Sequence, residues 1–166
     1  MMAASRVTDS IGVMAILADN PYLRDAVMTA TPEQLQLMLY DGAIRFATQG
    51  RDAVLAKDYE TSYLRLTRAQ NIVMEMQNGL RHDVNPELCR RMASIYGFVY
   101  NKLVDGCVKR DVHEIDDALK VLRIERETWQ MLVEKLKRVR DGVEPDGPPA
   151  GAPAADGPPA AFSAQA

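Results

Sequence analysis

Four helix-start signals fall between residues 31 and 111, and each is followed by apolar residues at steps of three and four. Thr31-Pro32-Glu33-Gln34 joins an N-cap threonine to proline at the first helical position and glutamine at the third, a reciprocal capping box. Asp58 opens a second stretch. Asn85-Pro86-Glu87 opens a third by the same proline logic, and Asp111-Val112-His113-Glu114 opens a fourth with box-like spacing. The second stretch then repeats as Tyr59, Tyr63, Leu66, Ala69, Val73, Met76 and Leu80. The third repeats as Leu88, Met92, Ile95, Val99, Leu103 and Cys107. The fourth runs Ile115, Leu119, Leu122, Trp129, Leu132 and Leu136, with Arg126 interrupting. The first is richer: Leu35, Leu37, Met38, Leu39, Tyr40, Ile44, Phe46 and Ala47 cover more than one stripe. Links of about one to five residues make successive helices antiparallel neighbours, so the expected fold is all-α, an up-down-up-down four-helix bundle over residues 31–140.

Stop signals complete the pattern. Gly79 is expected to end the second helix in a left-handed conformation, and Lys135, Lys137, Arg138 and Arg140 complement the dipole at the end of the fourth. Gly42, Gly50, Gly97 and Gly106 lie inside helices, where each costs about 1 kcal/mol relative to alanine. Close approach of another backbone, from within the bundle or from a bound peptide, offsets such a cost. Residues 1–30 are expected to be an N-terminal extension. Residues 141–166 hold six of the nine prolines and eight alanines, with Phe162 the one large apolar side chain, and are expected to be a disordered tail.

The charge balance removes several function classes. Lys and Arg total 20 against 23 Asp and Glu. Four of those acids and no base lie in 141–166, which leaves residues 1–140 at +1. A nearly neutral body lacks the cationic face that neutralises nucleic-acid phosphates. The longest apolar run, Ile11–Ala18, is far short of the roughly 20 residues that span a bilayer. With Asp9 before it, the run also makes a poor signal peptide, so the expected location is cytoplasmic. His82 and His113 are isolated, neither follows a glutamate by three residues, and no cluster of metal ligands forms. Cys89 and Cys107 stand five helical turns apart, roughly 27 Å, too far to bridge. No phosphate-binding glycine loop or nucleophile elbow appears. The expectation is no cofactor, no metal and no catalytic residue.

Apolar residues exceed what one buried stripe per helix needs. The second helix adds Leu64, Ile72 and Met74; the third adds Tyr96, Phe98 and Tyr100; the fourth adds Val121, Ile124 and Met131. Such a surplus is either extra core or a partner site. The apolar residues Ile11 to Met28, broken at Asn20-Pro21, form a strip that either covers a groove or packs loosely.

Four blocks in order carry a more specific likeness. Thr29-Ala30-Thr31-Pro32-Glu33-Gln34-Leu35 continues through Leu37-Met38-Leu39-Tyr40-Asp41-Gly42-Ala43-Ile44-Arg45-Phe46. Arg68-Ala69-Gln70-Asn71-Ile72-Val73 stands before Leu80. Ile95-Tyr96, Val99-Tyr100 and Leu103-Val104 precede Glu127-Thr128-Trp129. Over about residues 20–138 this resembles the flagellin-specific secretion chaperones, the FliS family. Gly97-Phe98 stands where that family usually has Asp-Tyr. The resemblance implies a cytoplasmic chaperone without nucleotide chemistry. It implies binding to the C-terminal segment of flagellin, which becomes helical as it wraps the bundle and is kept from premature polymerisation, followed by a meeting with the flagellar export apparatus. Other readings of the same bundle are a helical adaptor for another disordered client, or a metal-binding enzyme.

On the chaperone reading, Ala69, Gln70, Ile72, Val73 and Met76 form the groove on the second helix, and Tyr96, Tyr100 and Leu103 contribute from the third. Tyr22 and Val27 belong to the self-covering N-terminal strip. Tyr40 and Trp129 are expected as core anchors. Helix-in-groove recognition of an amphipathic segment needs no catalytic group.

Overall fold

The computed structural model describes residues 26, 27 and 29–142. Four helices occupy them: α1 (Pro32–Leu55), α2 (Tyr59–Asn78), α3 (Pro86–Lys109) and α4 (Val112–Arg140). Each helix packs on its sequence neighbours, and α4 returns to α1, so the four close into an antiparallel ring around one core. The tail and most of the N-terminal extension, Tyr22 and Phe162 included, lie outside the described residues.

The starts form as their sequences dictate. The Thr31 hydroxyl accepts from the Gln34 amide at 3.3 Å while the Gln34 side chain accepts from the Thr31 amide at 3.0 Å. Asp58 and Asn85 accept from the amides of Thr61 and Leu88. Asp111 accepts from His113, but the fourth start is not a reciprocal box, because Glu114 turns away to Lys102 of α3. One stop signal is corrected. Gly79 has φ −75°, and the left-handed residues between the helices are Lys57 (φ 59°) and Arg110 (φ 57°). Those two sit in the tight α1–α2 and α3–α4 reversals. Gly79 leads into the longer link 79–85, which turns the chain without a left-handed step.

The interior is built from Tyr40 and Phe46 of α1, Leu66, Ile72 and Val73 of α2, Val99 and Leu103 of α3, and Ile115, Leu119 and Leu122 of α4. Two helical glycines have a steric reason, although the nearest neighbours are side chains rather than the expected backbone. A methyl group at Gly50 would lie 2.6 Å from Leu66, and one at Gly106 would collide with Ile115. Gly97 meets nothing within 4 Å. At the bundle's centre the Tyr40 and Tyr96 hydroxyls share a hydrogen bond of 2.8 Å, and Gln36 donates to Tyr96. Burial raises both phenol pKa values above the ordinary range. Trp129 packs half-buried against the core and donates its indole N–H to the Glu33 carbonyl at 2.9 Å. Asp41 is more than a solvated carboxylate: it receives Arg126 and ties α1 to α4, as Asp116 does by receiving Arg51.

Candidate functional site

The residues assigned to a groove divide by burial. Ala69, Ile72, Val73 and Met76 of α2, and Tyr96 and Leu103 of α3, lie in the interior cluster with their side chains enclosed. Val27, 5% exposed, belongs to the same cluster. Gln70 and Tyr100 are half-buried and reach the surface. In the chain as it stands, six of the eight therefore face internal neighbours, and the open apolar surface lies elsewhere.

That surface follows both flanks of α3. Lys102 points to α4, where its ammonium meets Glu114 at 2.6 Å and Asp117 at 2.9 Å. Arg110 lies 4.0 Å over the Tyr59 ring of α2. With about 100° between successive helical residues, the Lys102 contacts fix which flank of α3 faces α4. Phe98, Ile95 and Leu88 precede Lys102 by four, seven and fourteen residues and share its flank. On α4, Val121, Leu132 and Val139 continue the row that Glu114 begins, and Ile124 continues the row of Asp117. Exposure reaches 45% at Phe98, 53% at Leu88 and Ile124, and 42% at Leu132. The opposite flank of α3, about 180° away, carries Ala93, Gly97, Tyr100 and Val104. On α2, Met74 and Tyr63 are exposed.

Of the surplus apolar residues, Leu64, Met74, Phe98, Ile124 and Met131 are exposed, whereas Ile72 and Tyr96 are core. Leu88, Leu132 and Leu136 were expected in the main stripes but stand exposed. Leu88 sits in the first turn of α3 and Leu132 and Leu136 in the last turns of α4, so all three lie toward helix ends.

The site holds polar anchors but no reactive constellation. Cys107 is half-buried, and burial raises its thiol pKa away from reactivity. Among the described residues, no group of three or more His, Cys, Asp or Glu comes together as a metal site, and no helix is long and apolar enough to cross a membrane. What the surface offers is exposed apolar side chains along α3 and its neighbours, with half-buried Gln70 and Tyr100 as hydrogen-bonding groups near them. Such a surface suits an amphipathic helix laid against the bundle.

Comparison with known proteins places the same stretch. Residues 14–136 match the family described as Flagellar protein FliS. A Bacillus subtilis (strain 168) protein named flagellar secretion chaperone FliS is 30% identical over 126 residues, spanning 74% of this chain and 93% of that protein. Its namesake from Escherichia coli (strain K12) is 22% identical over 125 residues, spanning 73% and 90%. A solved bacterial flagellar chaperone shares the fold at a TM-score of 0.59 and 18% identity, covering 72% of this chain and 97% of that one.

Proposed function

This chain belongs to the FliS family of flagellar secretion chaperones, and from that premise we propose that its client is the C-terminal segment of flagellin. The family is one of chaperones rather than enzymes. The client is bound in the cytoplasm through apolar helix-in-groove contacts, is held back from polymerising, and is then passed to the flagellar export apparatus.

One observation carries this reading: large apolar side chains stand about half exposed along α3 and the facing side of α4, Phe98, Leu88 and Ile124 among them. An amphipathic segment ordered along these flanks buries them. Ordering it uses part of the contact free energy, which keeps affinity finite and release feasible. The enclosed residues Ala69, Ile72, Val73, Met76, Tyr96 and Leu103 join the floor when the N-terminal extension lifts away. The burial of Val27 in the same cluster supports that extension as a cover. Tyr22 is proposed to act with it.

Titration calorimetry with a flagellin C-terminal peptide tests the proposal. Binding should carry a negative heat-capacity change and gain of helix, with modest salt dependence. A version starting at Thr29 should bind more tightly than the full chain. Absence of binding to either form refutes the client, and weaker binding by the shortened form refutes the cover.

A further inference from the structure

We propose that Arg45 is the docking point for a carboxylate of the client, gripped side-on through its Nε and Nη2 atoms. This deepens the client-binding reading and rests on it.

The molecule supplies its own standard of comparison. Arg51, Arg81 and Arg126 each donate from Nε and Nη2 to the two oxygens of one aspartate, Asp116, Asp83 and Asp41 respectively. That edge of a guanidinium matches a carboxylate in bidentate fashion. In Arg45 the same two atoms are buried, and no acceptor among the described residues meets them. The nearest carboxylates along α1 are already engaged: Asp41 with Arg126, and Asp52 with Arg51.

The position is held firmly. Arg45 stacks 4.7 Å from the centre of the buried Phe46 ring, and Arg68 of α2 lies 5.5 Å from the same centre. Unpaired donors out of water are costly to leave unmatched. A single oxygen acceptor would fill one of the two N–H groups, whereas a carboxylate fills both and balances the charge. The occupant is therefore an aspartate, a glutamate or the terminal carboxylate of the client, reaching the edge as the client seats and opens the α1–α2 seam.

Arg45→Met tests this, because methionine keeps apolar contact with Phe46 and removes the fork. Full-length protein is titrated with the flagellin C-terminal peptide and with versions carrying single Asp→Asn or Glu→Gln changes or an amidated end. R45M should weaken binding roughly 10- to 100-fold. One of the peptide changes should weaken wild type equally and R45M no further. Thermal melting gives an independent readout: R45M should melt within about a degree or two of wild type, since no internal hydrogen bond is lost and methionine keeps the contact with the Phe46 ring. A fall of several degrees means an internal acceptor and overturns the proposal. R45M binding within twofold of wild type also overturns it, while leaving the client reading intact. If wild type fails to bind the peptide, the client reading fails and takes this one with it.

Discussion

The α1–α4 seam and the flanks of α3 are both outer faces of one bundle, yet they are finished differently. The seam is laced shut by Arg126 on Asp41, Arg51 on Asp116 and the Trp129 indole on the Glu33 carbonyl. The α3 flanks carry Phe98, Leu88 and, from α4, Ile124 and Leu132 at the surface. Exposed polar pairs add little stability each, but they fix register. Uncovered apolar side chains contribute little to the fold and leave free energy available on association. The contrast assigns stability to one side of the molecule and recognition to the other.

The sharpest way to break that division is a charge placed first inside and then on a flank. Ile72 has no exposed surface. Ile72→Asp should lose more than about 4 kcal/mol by burying an unpaired carboxylate, seen in urea denaturation as loss of the folded baseline. Leu132→Asp, at a half-open position, should keep the unfolding midpoint within about 0.5 kcal/mol of wild type. If Ile72→Asp folds normally and only loses client, the interior cluster is the open groove and the division is misplaced.

A second comparison acts on binding alone. Phe98→Ala removes a large ring from the flank and should weaken client binding about tenfold, measured by calorimetry, with an unchanged urea midpoint. Arg51→Ala, on the laced seam, should leave binding unchanged. Equal losses from both would mean that the client also crosses the seam.

How far the sequence carried depended on whether the deciding chemistry was local. The caps at Thr31, Asp58 and Asn85 were legible because hydroxyl, carboxylate and amide groups find amides three residues away regardless of the rest of the chain. Helix number and order followed from the 3.6-residue period. Burial did not follow as well. The period gives the phase of a residue on its helix, but it does not say how far its neighbours enclose it. Ile72 and Leu132 are both apolar and both in helical phase; one is fully enclosed and the other is 42% exposed beside the buried Val133. Gly79 failed for a similar reason, since the length of the link decides which residue must turn left-handed.

Gly97 allows a finer test. Alanine there meets nothing within 4 Å, so Gly97→Ala should stabilise the protein by about 0.5–1 kcal/mol through helix propensity. Gly50→Ala should destabilise it by driving a methyl group into Leu66. If the client backbone approaches α3 closely, Gly97→Ala gains stability and loses affinity together. A gain in stability with unchanged affinity would show that the client stays clear of that turn.

The smallest expected effect separates local capping from both regions. Hydrogen bonds from the Thr61 side chain and amide hold the Asp58 carboxyl below its usual pKa. A carboxylate with a depressed folded-state pKa contributes stability that is fully present above the unfolded value and fades as pH falls through the folded one. The window therefore lies below about pH 4. Asp58→Asn keeps a good cap that does not titrate, so its melting temperature should fall less steeply than wild type's between pH 4 and pH 2. Client binding, which rests on the far flanks of the bundle, should be the same for both proteins at neutral pH. Parallel acid slopes would place the acid sensitivity in groups other than Asp58.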